Sequence, residues 1–279
     1  MKQFIVNSIG RLDVICWILV ILFFGTSAVL FDGNLSPSLA AAAGLVVIMI
    51  IISLSIEVMV ETLKNVKGLG TLSGFITNGP ELVCLIVGLA LGDILFAAST
   101  PLGSNFMNPV LLFIAAAVGR ALPQILTTHP RYGITCILTT AGLAVGFYQI
   151  PVSAHLYWMG LALVATLTLF VKRPPEPEQT EDADETIPRW YLAPAVVVLV
   201  AAGYLLDPVV TYASAQSCAP KGVIGFFVLA TLSSWPEFKT CLVLLRRNKP
   251  LAAILNITVS NITNIWLTLG GLLTYMAVS

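Results

Sequence analysis

The sequence predicts an all-α, polytopic membrane protein of about nine transmembrane helices, built as an inverted-topology repeat. Three observations predict it: the composition, a succession of long apolar segments, and a 32-residue motif that occurs twice. Of the 279 residues, 57% are hydrophobic and only 10% are charged, whereas a soluble domain carries about 25% charged residues. The 14 basic and 14 acidic residues balance, which argues against a nucleic-acid partner. The composition therefore excludes an ordinary soluble enzyme and favours a protein embedded in the lipid bilayer.

Nine segments have the length and apolar character of a transmembrane helix, which needs about 20 residues to cross the hydrocarbon core. They lie at 12–31, 38–63, 72–92, 95–117, 132–149, 152–171, 190–217, 222–245 and 250–276. The first segment follows Lys2 and Arg11. We interpret it as a retained helix, with a cleaved signal peptide as the alternative.

The distribution of basic residues predicts the orientation. Twelve of the 14 lysines and arginines fall at span ends on the side of the N-terminus, and only Lys221 falls on the other side. Because positive charge marks the cytoplasmic side, we expect a cytoplasmic N-terminus and an external C-terminus, in the plasma (inner) membrane. The acidic, proline-rich segment 173–189 is then predicted to be a disordered cytoplasmic linker.

An internal repeat carries the functional signal. Residues 77–108 and 233–264 align without a gap at an offset of 156, with nine identities in 32 positions. The identities include a Pro-Glu pair, which contributes Glu81 and Glu237, and a Ser-Asn-x-x-Asn motif. The third and eighth spans run in opposite directions by the charge distribution, so the repeat is predicted to be inverted. Such repeats place a substrate site at the membrane midplane.

The residue types in the repeat predict a cation site. A carboxylate inside the bilayer is costly unless it is paired, hydrated, protonated or bound to a cation. Pro80 and Pro236 remove backbone donors and are predicted to break the helices beside the glutamates. Carboxylates, carbonyls and hydroxyls form a hard oxygen ligand set, which suits Ca²⁺, Na⁺ or Mg²⁺. The predicted oxygen donors are Glu81, Glu237, Asn108, Asn264, Thr77, Asn78, Ser233 and Ser234.

These motifs resemble the alpha-repeats of the calcium/cation antiporter superfamily, which includes sodium/calcium and proton/calcium exchangers. TNGPE and SSWPE stand where the family has G-T-S-L-P-E, and both lack its leading glycine. The resemblance implies an exchanger-type inverted repeat in which Glu81 and Glu237 are the central calcium ligands. It makes Asn108 and Asn264 the lateral ligands. The flanking ligands it implies are Thr77, Asn78, Ser233 and Ser234, together with the serines Ser104 and Ser260.

The resemblance also implies a function: secondary active antiport of Ca²⁺ for Na⁺ or H⁺ by alternating access. The expected partners are the transported cations and the bilayer, and neither enzymatic activity nor a cofactor is expected. The predicted units are an extra helix (1–37), a first exchanger repeat (38–172), the linker (173–189) and a second repeat (190–279). The second repeat is expected to be shortened, because the counterpart of span 132–149 would start at position 288.

The alternative function is a non-transporting membrane subunit or pseudo-transporter that retains the duplicated fold. Two features motivate it, the shortened second repeat and Lys239, which lies two residues after Glu237. We expect Lys239 to face away from the site, and either to reach the membrane surface or to pair with an acid such as Asp207.

Overall fold

The structure, a computed structural model, describes residues 11–63, 66–90, 94–176, 187–219 and 234–278. Within these ranges the chain forms α-helices, two short 3₁₀ turns and no strands. The helices are α1 (Arg11–Leu30), α2 (Leu35–Leu63), α3 (Leu69–Ile76), α4 (Gly79–Ala90), α5 (Ile94–Val118), α6 (Leu122–Thr127), α7 (Pro130–Gln149), α8 (His155–Val171), α9 (Leu192–Ser217), α10 (Trp235–Arg246) and α11 (Pro250–Val278).

Five of the described helices contain a segment long and apolar enough to cross a bilayer: α1, α2, α5, α9 and α11. They correspond to five of the predicted spans. Many of their surface residues are large and apolar, as Leu19 and Val29 of α1 illustrate, and such a surface suits lipid. The chain is therefore an all-α, multi-pass membrane protein.

The other four predicted spans differ from the simple expectation. Segment 72–92 is divided into α3 and α4, because Pro80 has no N–H to donate to the carbonyl of Ile76, where α3 ends. Helix α7 has 20 residues but is rich in threonine and glycine, and α8 has only 17 residues. Segment 222–245 is described only from residue 234 onward. A total of nine spans therefore stays a prediction.

The helices pack around two apolar clusters. The larger cluster contains residues of α1, α2, α9 and α10 together with parts of α5 and α11. The smaller cluster contains residues of α5, α7, α8 and α11. Along α5 and α11, the polar segments 104–108 and 260–264 lie between the residues that enter one cluster and those that enter the other. The serines and asparagines of these two segments are buried and thus lie between two apolar clusters.

Glycines allow the α3–α4 junction to approach its neighbours closely. Gly70 and Gly74 of α3 lie directly against the backbone of α11, and a Cβ atom at Gly74 would lie 2.6 Å from the carbonyl oxygen of Asn256. The ring of Pro80 packs against Gly203 of α9. Spacing of small residues by four is a common way to bring membrane helices into backbone contact. This packing fixes the junction between α11 and α9.

Two sets of ion pairs connect α10 to α1 and α2. The Nζ atom of Lys239 lies 2.7 Å from Oδ2 of Asp13, and both side chains are buried. Arg247, just after α10, lies 3.4 Å from Glu57 and 2.9 Å from Glu61 of α2. Of the two alternatives expected for Lys239, pairing with an acid is confirmed; the acid in the structure is Asp13, whereas the sequence suggested Asp207.

Part of the predicted linker contacts the helical body. The carboxylate of Glu176 accepts hydrogen bonds from the backbone N–H of Gly70 at 2.7 Å and of Thr71 at 2.9 Å, and from the Thr71 hydroxyl at 3.0 Å. These donors belong to the first turn of α3, so Glu176 caps that helix. Residues 177–186, on which the prediction of disorder mainly falls, lie outside the described residues.

Candidate cation site

Two buried glutamates occupy the same position in two different helices. Glu81 is the third residue of α4 and Glu237 is the third residue of α10, with exposed fractions of 1% and 0%. A proline precedes each one, where the first helical turn does not need its backbone N–H. A carboxylate in the first turn is also stabilised by the positive end of the helix dipole. The Pro-Glu pair therefore begins a helix and places a buried acid at its start.

Each glutamate is approached by a serine that lies 23 residues further along the chain. Ser104 Oγ donates to Glu81 Oε1 at 3.4 Å, and Ser260 Oγ donates to Glu237 Oε1 at 3.3 Å. The second carboxylate oxygen, Oε2, is buried in both glutamates and accepts no hydrogen bond from the described residues. The same half-satisfied carboxylate thus occurs twice.

Among the described residues, the two carboxylates repel each other electrostatically and neither forms an ion pair with a lysine or arginine. Two like charges buried without a counter-charge carry a desolvation penalty of several kcal/mol per ion. Among the described residues, the two carboxylates are thus left without a positive charge that neutralises them.

The α3–α4 junction contributes polar groups that reach the second half of the chain. Asn78 Nδ2 donates to the carbonyl of Gly74 at 2.6 Å and to that of Ser260 at 3.3 Å. Its Oδ1 lies 3.1 Å from Ser260 Oγ, so the single proton of Ser260 serves both Asn78 and Glu237. Thr77 Oγ1, in the same junction, is buried and forms no hydrogen bond to a described group.

The lateral amides come from α5 and α11. Asn108 Nδ2 donates to Ser260 Oγ and to Asn261 Oδ1, both at 3.0 Å. Asn264 Nδ2 donates to Asn105 Oδ1 at 3.2 Å. The amide nitrogens of Asn108 and Asn264 are thus engaged across the two helices. Their amide oxygens are buried and accept no hydrogen bond from the described part of the chain.

Nine of the ten predicted site residues fall within the described ranges, and all nine are buried. They are Thr77, Asn78, Glu81, Ser104, Asn108, Ser234, Glu237, Ser260 and Asn264. Ser234 stands directly before α10, and Ser233 lies outside the described residues. Hydrogen bonds join Glu81 to Ser104, and Asn78, Asn108 and Glu237 to Ser260. Whether these residues bind a cation stays a prediction.

Seven buried oxygens of this region form no hydrogen bond with any described group. They are Thr77 Oγ1, Glu81 Oε2, Asn108 Oδ1, Ser234 Oγ, Glu237 Oε2, Asn256 Oδ1 and Asn264 Oδ1. Carboxylate, amide and hydroxyl oxygens are the ligands of hard cations such as Ca²⁺ and Na⁺. Among the described residues no three histidine, cysteine or acidic side chains cluster. The donor set thus fits a hard cation.

Sequence reasoning missed four buried polar residues that form hydrogen bonds with the predicted site residues or with their partners: Asn105, Asn256, Asn261 and Thr140. Asn256 Nδ2 lies 3.5 Å from the carbonyl oxygen of Glu237. Asn105 and Asn261 pair with the lateral amides, and their identity in the repeat was a signal that could have revealed them. Thr140 of α7 lies 3.2 Å from Asn261 Nδ2, and no sequence motif marks it.

The fold and this site define a helical membrane protein with a buried, oxygen-rich cluster around two acidic residues. Residues 190–279 match the family model for sodium/calcium exchanger proteins. The resemblance to the calcium/cation antiporter superfamily is therefore confirmed in the part of the chain that carries Glu237, Ser260 and Asn264. No curated protein and no solved structure matches the chain.

Proposed function

We propose that the protein is a secondary active antiporter that moves Ca²⁺ across the membrane in exchange for Na⁺ or H⁺. The observation that carries this proposal is the pair of buried glutamates, Glu81 and Glu237. Each has one oxygen bound by a serine and the other oxygen buried without a hydrogen bond to a described group. The proposed function is transport rather than catalysis, with cations as substrates.

Charge balance supports exchange. Ionised, Glu81 and Glu237 carry a formal charge of −2, which one Ca²⁺, two Na⁺ or two protons neutralise. A charged group in the membrane interior is costly, by translocon measurements about 2.5–3.5 kcal/mol. The charge of such a site must always be neutralised, and Ca²⁺ cannot bind at the same time as two Na⁺ or two protons. The movement of one kind of ion is therefore coupled to the movement of the other.

The neutral donors support Ca²⁺ as the divalent substrate. Ca²⁺ takes six to eight oxygen ligands in flexible geometry, whereas Mg²⁺ demands a near-ideal octahedron and gives up its water reluctantly. Five neutral oxygens without hydrogen-bond partners among the described residues accompany the two carboxylates. These are the free oxygens of Thr77, Asn108, Ser234, Asn256 and Asn264.

Recurrent geometry supports two halves related by an inverted repeat, with the site between them at the membrane midplane. Helices α4 and α10 begin at Gly79 and Trp235, which lie 156 positions apart. The serine–glutamate bond and the pairing of each lateral amide with the opposite helix also recur at this offset. The distribution of lysine and arginine supports a cytoplasmic N-terminus, and the proposed location is the plasma (inner) membrane.

The experiment that tests this function is ⁴⁵Ca²⁺ flux into proteoliposomes under separate Na⁺ and pH gradients. We expect uptake that one of the two gradients drives, and loss of that uptake in Glu81→Gln and Glu237→Gln. Glu61→Gln is the matched control, because it changes a glutamate that pairs with Arg247 away from the site. Wild-type protein that carries no Ca²⁺ under either gradient would instead favour the non-transporting subunit.

A further inference from the structure

We infer that Asn261 is a positioning residue, which turns the amide of Asn108 so that its oxygen faces the cation. We further infer that Pro109 makes this possible by releasing the backbone carbonyl of Asn105 from its helix. The inference rests on the proposed function, because it assigns a task in cation binding to residues outside the ligand set. It starts from a backbone carbonyl, which can only accept hydrogen bonds.

The released carbonyl fixes the orientation of Asn261. In an α-helix the carbonyl of residue 105 accepts from the N–H of residue 109, but residue 109 is a proline inside α5 and has no N–H. Asn261 Nδ2 takes the vacated place, 3.3 Å from the Asn105 carbonyl oxygen, and lies 3.2 Å from Thr140 Oγ1. The nitrogen of the Asn261 amide must therefore point toward α5 and α7.

The orientation of Asn261 then determines that of Asn108. With its nitrogen engaged, Asn261 presents Oδ1 to Asn108 at 3.0 Å, and an oxygen can pair there only with a donor. Asn108 Nδ2 meets this requirement and uses its other hydrogen for Ser260 Oγ at 3.0 Å. Asn108 Oδ1 is left on the opposite side, buried and without a hydrogen bond to a described group. A reversed amide would present N–H groups to a cation and repel it.

The corresponding contacts in the other half lack this anchor. Asn264 Nδ2 donates to Asn105 Oδ1 at 3.2 Å. Residue 265, the counterpart of Pro109, is an isoleucine, whose N–H can occupy the carbonyl of Asn261 within α11. Asn105 Nδ2 is buried and donates to no described group. The amide of Asn108 is therefore held more firmly than that of Asn264, and we expect the Asn105→Ala variant to lose less Ca²⁺ affinity than Asn261→Ala.

The first test is equilibrium ⁴⁵Ca²⁺ binding to the full-length protein in detergent, with a thermal melt of each variant. We expect Asn108→Ala and Asn261→Ala each to weaken binding roughly tenfold, the size of effect that one hydrogen bond or ligand contact produces. The double variant should bind no more weakly than Asn108→Ala alone, because Asn261 acts through Asn108. Thr258→Val is the matched control on α11, since the Thr258 hydroxyl donates to carbonyls of its own helix.

The second test is Pro109→Ala, which restores the N–H that competes with Asn261 for the Asn105 carbonyl. Because proline is the worst helix former and alanine the best, we expect this variant to melt at the same or a higher temperature while its Ca²⁺ affinity falls. If Pro109 had a purely structural role, the melting temperature and the Ca²⁺ affinity would change in the same direction. Pro101→Ala, in the same helix, is the control and should bind Ca²⁺ like the wild type.

Three outcomes overturn the inference. In the first outcome, Asn261→Ala and Pro109→Ala bind Ca²⁺ like their controls while Asn108→Ala binds it more weakly. Asn261 then plays no part in cation binding. Losses that multiply to about a hundredfold in the double variant mean that the two asparagines act independently. A wild-type protein that binds no Ca²⁺ overturns the proposed function together with this inference. If Asn261→Ala does not fold, Thr140→Val removes one of the two acceptors and should shift affinity in the same direction.

Discussion

The ammonium of Lys239 lies 2.7 Å from Oδ2 of Asp13, and neither side chain is exposed to solvent. Lys239 is two residues after Glu237, which corresponds to about 200° around an α-helix. The two side chains of α10 consequently leave the helix on different sides, and the acid that pairs with Lys239 belongs to α1. In our account the lysine therefore leaves the charge of the two-glutamate site at −2, and α1 is part of the helical body.

We expect Asp13→Asn to destabilise the protein strongly. Removal of one member of a buried ion pair costs about 3–5 kcal/mol, because the remaining charge stays buried with weaker compensation. Asp13→Asn combined with Lys239→Met should recover much of the loss. The measurement is the melting temperature of purified protein in detergent. Glu61→Gln serves as the control, because its ion pair with Arg247 is partly exposed and should contribute less than about 1 kcal/mol.

Lys239→Met, alone, tests whether the lysine enters the cation site. Because its ammonium contacts Asp13, we expect the Ca²⁺ affinity of the folded variant to stay within about twofold of the wild type, a change too small for a lost ligand or charge contact. Equilibrium ⁴⁵Ca²⁺ binding gives the answer. A large gain in affinity would mean that Lys239 competes with the cation for the two glutamates.

Gly74→Ala should displace α3 from α11. The added Cβ atom would lie 2.6 Å from the carbonyl oxygen of Asn256, closer than real Cβ contacts allow, so the backbones must separate. Thr77 and Asn78 follow α3 directly, and their positions should shift with it. We expect lower thermal stability and weaker Ca²⁺ binding. Gly160→Ala in α8 is the matched control, because its Cβ meets no atom within 4 Å, and it should leave both quantities unchanged.

Glu176→Ala should loosen the start of α3. The Glu176 carboxylate accepts two backbone N–H groups and one hydroxyl there, and loss of a helix cap costs about 1 kcal/mol, up to about 2. The expected result is a lower melting temperature, with a smaller decrease for Glu176→Gln, which keeps one acceptor oxygen. Equal melting temperatures for Glu176→Ala and wild type would show that the linker does not brace the helix.

The sequence identified the glutamates and their serines for a physical reason. In a chain with so few charged residues, a carboxylate or an asparagine repeated at a fixed offset stands out, because a carboxylate in the membrane is costly unless it is paired, hydrated, protonated or bound to a cation. The break between α3 and α4 was also predictable from Pro80. The helix ends at Ile76, four residues earlier, because the proline withdraws the hydrogen bond that the Ile76 carbonyl would accept.

The long-range contacts could not be predicted from the sequence. Asp13 lies 226 positions from Lys239, and the acid that the sequence suggested as the partner of Lys239 was Asp207. Pro109 indicates that the Asn105 carbonyl has no backbone donor within its helix. Only the packing of α5 on α11 determines that Asn261 donates to this carbonyl. Thr140 is one threonine among several in a membrane helix. Such partners depend on the angles and offsets between helices, which local residue patterns do not encode.

Exchange should be close to electroneutral. Both lateral positions, Asn108 and Asn264, are amides, so Glu81 and Glu237 alone set the formal charge at −2. Two monovalent ions or protons then replace one Ca²⁺. The site can change the side of the membrane to which it opens without a large electrostatic cost only when its charge is neutralised. We expect Ca²⁺ flux that hardly changes with clamped membrane potential. A steep voltage dependence would contradict two-for-one exchange.

In the proposed mechanism, Glu81 and Glu237 form a single Ca²⁺ site. Calorimetry that measures Ca²⁺-binding stoichiometry and affinity on wild type, Glu81→Gln, Glu237→Gln and the double variant tests whether they do. We expect one Ca²⁺ per chain in the wild type. We also expect a similar collapse of affinity in all three variants, because each glutamate supplies half of the charge that balances the ion. Wild-type affinity in Glu237→Gln, or two independent Ca²⁺ ions per chain, would contradict it.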